Sequence, residues 1–291
     1  MTEGGTGTLY LVATPIGNLS DITFRAVEVL GAVPLIAAED TRLTRRLLER
    51  HGVGTRLVSY HARSGPRRLE ELLTHLRSGA DLALVTDAGT PAVSDPGAEL
   101  VGSWAAEGGR VVPIPGASAV LAAVAGSGVA GPRWSFEGFL PRSGRDRREH
   151  LAAIAADARG TVLFEAPGRV GATLRDLAEA CGEDRPAAVA RELTKVHEQI
   201  VRGSLGALVA AFTDGTIPAR GEFAIVVGMA ATALPRGRHE ADLGSARAKV
   251  ESLVADGVAR SEAARRVAAE TGLPRRQLYG ATGRDGSPET G

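Results

Sequence analysis

Short, continuously apolar segments alternate with helix-patterned ones along most of the 291-residue chain, and this alternation restricts the fold more than any other feature. TLYLVA, PLIAA, LVSY, DLALVT and RVVPI read as buried strands. Between them the spacing predicts helices. Ile22, Ala26, Val29 and Leu30 share one face of Asp21–Leu30, and further helices are expected over Thr44–His51, Arg67–Ser78, Ala98–Glu107 and Ala117–Gly126. Strands that are apolar on both faces belong in a parallel sheet covered by helices on both sides. Ligands of such sheets sit beyond the carboxyl ends of the strands. The polar loops TPIGN, EDTR, DAGTPAVSDPG and PGAS all fall at those ends, so they should converge.

Near Gly131-Pro132 the pattern restarts. FEGFL, TVLFEAP, AAVAREL, EQIVRG and EFAIVVG read as strands of a second sheet, with helices at about Arg145–Ala156, Val170–Ala180 and Leu205–Phe212. The gap between AAVAREL and EQIVRG is too short for a crossover helix, so these two strands should form a hairpin and make the sheet mixed. TALPRGRHEADL, over 232–243, reads as a linker. Ala246–Asp256, Ser261–Glu270 and Pro274–Ala281 then read as short helices, with Ser261 as an N-cap and Gly272 as a stop. The expected division is an N-terminal α/β domain over 8–128, a second α/β domain over 133–231 and a helix-turn-helix-like unit over 244–282. Residues 1–7 and the tail RDGSPETG are expected to be disordered.

Lys+Arg and Asp+Glu cancel at 34 each. A protein that coats nucleic acid is usually basic overall, so any RNA contact must rest on local patches. The single cysteine, Cys181, excludes an intramolecular disulfide framework and a cysteine-rich metal site. The chain has no basic-then-apolar leader and no apolar run of the roughly 18 residues a span needs. A cytoplasmic protein with no membrane segment and no metal is the expectation.

Several loops carry chemistry, each beside a plainer reading. TPIGNL can present backbone N–H groups to a ligand, but it lacks the G-x-G-x-x-G spacing and by itself reads as a tight turn set by Pro15 and Gly17. DAGTPAVSDPG is more specific, because a plain strand-to-helix connection needs only about 2–6 residues. Its strand-end Asp87 can accept hydrogen bonds from a ligand. In PGAS, Gly116 allows close backbone approach, while Ser118 serves equally as a helix cap. Glu39-Asp40-Thr41-Arg42 can hold a proton or a positive group, or can simply cap the basic helix that follows. Arg191 to Lys195 with Glu198, and Gly221-Glu222, are charged turns that often are only solvated surface. Arg42/Arg45/Arg46, Arg63/Arg67/Arg68 and Arg142/Arg145/Arg147/Arg148 are surface charge or the wall of an RNA groove. Arg265, Arg266, Arg275 and Arg276 flank the TGLP turn, where they contact phosphates or merely dress a docking bundle.

LYLVATPIGNLSDITFRAVEVL, AAEDTR, LVTDAGTPAVSDPG, PIPGASA, GFLPR, FEAPGR, ARELTKVHE and RGEF occur in that order. Together they resemble the ribosomal RNA small-subunit methyltransferase I family of the tetrapyrrole methylase superfamily, from about Leu9 to Gly228. The helical C-terminal unit is similar to that family's extension. TPIGNL and DAGTP separate this branch from the porphyrin-precursor methylases, whose first loop is glycine-rich. The resemblance implies a tetrapyrrole methylase-like fold of two α/β domains with S-adenosylmethionine between them. It also implies a homodimer and 2′-O-methylation of a cytidine in the decoding region of small-subunit ribosomal RNA.

Carried onto this sequence, the resemblance implies a cofactor site of Pro15, Asp87, Gly89, Thr90, Gly116, Ala117 and Ser118. From the second domain it adds Phe164, Glu165, Ala190, Arg191 and Glu222. The chain departs from the family at Gly168, where a histidine is usual, and at HARSG, where an asparagine-containing segment is usual. No essential imidazole is therefore expected at position 168. A ribose hydroxyl is a weak nucleophile, so Asp40 or Glu39 is expected as base and Lys195 or Arg42 as oxygen stabiliser. Two other readings stay open: the same fold acting on a tetrapyrrole or other metabolite, and a non-catalytic RNA- or ribosome-binding protein; a third, a plain α/β domain pair with an unrelated ligand, is disfavoured by the convergence of several matching motifs.

Overall fold

The computed structural model describes residues 6–230, 241–271, 273 and 275–278. The chain divides after Ala230 into two compact units. Five strands open the first unit: β1 (Thr8–Val12), β2 (Leu35–Ala38), β3 (Leu57–Ser59), β4 (Leu82–Val85) and β5 (Arg110–Ile114). They pair in the order β3-β2-β4-β1-β5, every neighbour parallel. Central strands β2 and β4 are buried along their whole length, which is why their sequences show no polar alternation.

Helices α1 (Phe24–Ala32) and α2 (Thr41–Arg50) cover one face, packing Ala26, Leu30 and Leu48 on Val12, Ile36 and Val85. Helices α3 (Pro66–Arg77) and α4 (Ala98–Ala106) cover the other, with Leu72, Leu76, Leu100 and Trp104 against Leu9 and Leu84. Each of these large side chains contributes about 1.5–3 kcal/mol by leaving water. The starts of α1 and α2 each differ by three residues from expectation, and side-chain caps explain both. Thr23 Oγ1 accepts from the Ala26 amide at 3.1 Å, so α1 begins at Phe24 rather than Asp21, which closes a 3₁₀ turn over Leu19–Asp21. Asp40 caps α2, which therefore starts three residues before the expected Thr44.

The second sheet comprises β6 (Trp134–Phe139), β7 (Gly160–Glu165), β8 (Pro186–Arg191), β9 (Gln199–Ser204) and β10 (Phe223–Val227), in the order β6-β7-β10-β8-β9. β6 and β7 are parallel, and the other pairs antiparallel. The expected hairpin is β8–β9. On one face lie α6 (Gly144–Ala156), α7 (Val170–Cys181) and α8 (Leu205–Thr213). The other face is covered by α5 (Ala119–Ser127), whose Val120 and Ala123 pack on Val162, Ala190 and Ala224. This helix follows β5 in the chain and was expected with the first sheet. Its sequence is small and apolar nearly all round, so no face of it announces a partner.

In the second unit α9 (Ala241–Ala255), α10 (Arg260–Thr271) and α11 (Arg275–Leu278) surround Ala246, Val250, Ala263, Ala264, Val267 and Leu278. Ser261 lies inside α10 and not at its cap, and α9 begins within the expected linker. Gly7, expected in a disordered tail, is tied down, its N–H donating to the Leu76 carbonyl at 2.8 Å. Residues 1–5 of the N-terminal tail, most of the linker, the Gly272 stop, position 274 and the chain beyond Leu278 lie outside the described residues. Among the described residues no helix is long and apolar enough to cross a membrane.

Candidate active site

Loops from the two sheets are fastened together within the first unit. Thr14 and Gly89 exchange backbone hydrogen bonds of 2.9 and 3.0 Å, and Thr14 Oγ1 donates to the Thr86 carbonyl at 2.9 Å. The loop after β1 is thereby joined to the loop after β4. Gly116 brings the third loop in close: a Cβ there would stand 3.0 Å from that of Ala13. From the second sheet, the turn after β8 lays Lys195 over Gly17, where an added Cβ would come within 2.5 Å of Lys195 Cγ.

These loops enclose a cavity of about 370 Å³, a size usual for small-molecule sites. The first sheet's loops supply Ile16, Gly89, Thr90, Val93, Ser94 and Asp95, and the start of α5 supplies Ser118 and Val120. The second sheet supplies Phe139, Phe164, Glu165, Ala190, Leu193 and Glu222. Three carboxylates and no Lys or Arg line it, a balance that favours a positively charged ligand and disfavours a phosphate inside. Of the residues implied for the cofactor, Gly89, Thr90, Ser118, Phe164, Glu165, Ala190 and Glu222 reach the wall. Pro15, Asp87, Gly116, Ala117 and Arg191 do not.

Several side chains are committed to holding the walls. Ser118 fills both of its expected roles, lining the cavity while capping α5 through the Leu121 amide at 3.4 Å. Arg191 is buried, its Nε donating to the Arg220 carbonyl at 2.7 Å and its Nη1 to the His197 carbonyl at 3.2 Å, which locks the base of the β8–β9 turn. Glu165 has a fully buried side chain that accepts from Thr173 Oγ1 at 2.6 Å and from the Ala166 amide at 2.9 Å, with Arg169 Nε 3.2 Å away. Arg147 continues this network to Thr173 and Asp176. Arg147 is thus a buried strut and not part of a surface basic stretch. Gly168, where the imidazole was not expected, is exposed, with open space where a side chain would begin.

None of the four residues expected to carry the chemistry lines the cavity. Glu39 accepts from Thr86 Oγ1 at 2.7 Å and from the Asp87 amide at 3.3 Å, and Asp87 in turn accepts from the Asp40 amide at 2.8 Å. Asp40 caps α2 and pairs with Arg42 Nη2 at 2.7 Å. Its bonds to the Arg42 side chain and amide hold its carboxyl down at about 2, where it has little pull on a proton. Arg42 is largely exposed, and Lys195 bridges Glu192 and Glu222 at 2.9 and 2.8 Å. Sequence reading passed over Asp95, the second acid of the long loop. Burial pushes its carboxyl up to about 6, the negative charges of Glu39 and Asp87 add to this, and the neighbouring Thr86 hydroxyl opposes it.

Backbone strain marks the same place. Among the described residues the non-glycine positive φ values are those of Ala92 (66°), Ser94 (61°), Glu192 (52°) and Thr194 (66°). Such conformations cost about 1–3 kcal/mol each and persist where surrounding structure enforces them. All four lie in the two loops that meet at the cavity. Ser94 reaches the second sheet at Gly138, where an added Cβ would be 3.0 Å from its Oγ.

Known proteins share this architecture. The chain matches the family of tetrapyrrole (corrin/porphyrin) methylases over residues 8–209. It superposes on cobalt precorrin-4 methyltransferase, a cobalamin biosynthetic enzyme, with a TM-score of 0.60 and 21% identity, covering 78% of this chain and 97% of that one. Uroporphyrin-III C-methyltransferase from Thermus thermophilus, solved in complex with S-adenosyl homocysteine, gives 0.55 and 20%, covering 76% and 97%. Fold and cavity therefore define a protein of the tetrapyrrole methylase class. Ribosomal RNA small subunit methyltransferase I of Synechocystis sp. is 50% identical over 273 residues, 94% of this chain and 96% of the relative. Its counterpart from Bacillus subtilis is 40% identical over 276 residues, 94% of both chains. The chain belongs to the ribosomal RNA small subunit methyltransferase I family.

Proposed function

We propose that this protein transfers a methyl group from S-adenosylmethionine to the 2′-hydroxyl of a cytidine in the decoding region of small-subunit (16S) ribosomal RNA. The observation that carries the reading is the acidic, lysine- and arginine-free cavity at the junction of the two sheets. It suits a cofactor whose methyl group is carried on a positively charged sulfur. Gly89, Thr90 and Ser118 would meet that cofactor from one side and Phe164, Ala190 and Glu222 from the other. Pro15, Asp87, Gly116 and Ala117 would hold the loops, and Arg191 and the Glu165 network would fix the wall behind them. Ile16, Val93, Phe139 and Leu193 would keep water from the reacting atoms, where alignment within about 3–3.5 Å supplies much of the rate.

The RNA half of the reading rests on the names of the close relatives and on local charge. Arg42, Arg45 and Arg46 on α2, with Arg63 and Arg67 near the start of α3, are exposed cations on a chain of zero net charge. An acidic cavity beside a basic surface lets phosphates run outside while one ribose enters. Lys195, bridged to the wall residue Glu222, and the largely exposed Arg42 would steady the RNA rather than touch the reacting oxygen. The same reading makes the protein a cytoplasmic homodimer, which light scattering checks.

Tritiated methyl transfer to 30S subunits lacking the modification, followed by nuclease mapping, tests the proposal. Label on a cytidine ribose is the expected result. Label on a porphyrin precursor and none on 30S particles would replace it with a metabolite methylase. Absence of S-adenosylmethionine binding by calorimetry would leave a non-catalytic binder.

A further inference from the structure

We propose that Asp95 is the catalytic residue that accepts the proton of the methyl-receiving hydroxyl, a role resting on the methyl-transfer reading above. Three carboxylates line the cavity, and two of them are already engaged. Glu165 accepts from Thr173 and the Ala166 amide and faces Arg169. Glu222 is mostly exposed and bridged to Lys195. Asp95 lines the cavity with no cation paired to it among the described residues, and it shares the Thr86 hydroxyl with Glu39.

The loop that presents Asp95 is fixed from both sides. Positive φ at Ala92 and Ser94 turns Val93, Ser94 and Asp95 into the cavity, and Ser94 packs on Gly138 of the opposite sheet. The charged groups around Asp95 are Glu39 and Asp87 at the strand ends beneath it, with the Asp40–Arg42 pair beyond them. Across the cavity stand Glu165 and Glu222, the latter tied to Lys195. Partial burial first, and the negative charges of Glu39 and Asp87 with it, push the Asp95 carboxyl up to about 6 against the Thr86 hydrogen bond. A carboxylate so raised takes a proton more readily than an ordinary aspartate and is still ionised at neutral pH. In the step, the hydroxyl O–H bond breaks and the oxygen's electron pair forms the bond to the methyl carbon. The carbon–sulfur bond breaks with its pair left on sulfur, and the proton passes to Asp95 and then to water. Glu39 acts through Asp95 as a positioning residue.

The test combines single-turnover methyl transfer to 30S particles across pH 5–8, calorimetry of S-adenosylmethionine binding, and carbon-13 NMR titration of the Asp95 carboxyl in the free protein. The wild-type rate should rise with pH and level off with its midpoint near 6, matching the NMR midpoint. Asp95→Asn should lose about 100-fold or more in rate at saturating cofactor together with the pH dependence, a loss far larger than any fall in cofactor affinity from removing one of the three acidic charges. Glu39→Gln should move both midpoints to lower pH. A folded Asp95→Asn protein that keeps the wild-type rate and profile, or whose loss is a loss of cofactor affinity, would overturn the assignment. Absence of methyl transfer by the wild-type protein would overturn the functional reading as well, so the two failures are distinguishable.

Discussion

Asp95 shows how one side chain trades stability for chemistry. Its carboxyl is held above its ordinary value of 3.8, so folding disfavours its ionised form. The sign follows from linkage. The destabilisation is present at pH values above about 6, fades as pH falls through 6 and is gone near 4. Asp95→Asn should therefore raise stability by about 1–2 kcal/mol at pH 8 and leave it nearly unchanged at pH 4, as read from denaturant unfolding at both values. Glu165 contributes to stability through its hydrogen bonds. Its buried carboxylate satisfies Thr173 and the Ala166 amide and faces Arg169. Glu165→Ala should cost about 3–5 kcal/mol, because it strands buried donors and a cation. A loss below about 1 kcal/mol in guanidinium titration would show that the network rearranges without it.

Among the loops and helices, the carboxyl-end turns were legible because continuous apolar runs stop abruptly at TPIGN, EDTR, DAGTP and PGAS. The β8–β9 hairpin was legible from gap length alone. That Asp95 and not Asp87 enters the cavity was not, since the turn depends on positive φ at Ala92 and Ser94, residues that carry no signal for it. Strand-end placement favoured Asp87, which instead accepts from the Asp40 amide and joins two loops. Contact between the sheets' loops rests on small residues. In Gly17→Val, the side chain would displace Thr194 and Lys195 from the loop after β1. Methyl transfer at saturating cofactor should fall about 10- to 100-fold, since misplacement by about an ångström is enough, while circular dichroism stays native. An unchanged rate would mean that the two loops need not touch.

For the whole molecule, the two compact units each possess an apolar core, the second formed by residues such as Val250, Ala263 and Val267. A chain ending at Ala230 should unfold cooperatively and bind S-adenosylmethionine with unaltered affinity. Arg265 and Arg266 both pair with Glu262, which mutes them as phosphate contacts, whereas Arg275 is exposed. Truncation should therefore weaken 30S binding modestly and flatten its salt dependence, measured as affinity at two ionic strengths. A truncated protein that cannot fold would show that the first unit depends on the second.

Taken alone, the order of apolar runs and polar turns determined the parallel sheet, the mixed sheet and the side of each on which a ligand can bind. It did so because burial on both faces of a strand and closure of a short hairpin are local demands, written in consecutive residues. Tertiary structure decided which sheet α5 covers, which acid faces the cavity, and that Asp40 and Arg191 are spent on caps and carbonyls. Those outcomes depend on neighbours far apart in the chain, whose competing hydrogen bonds and packing no single segment records.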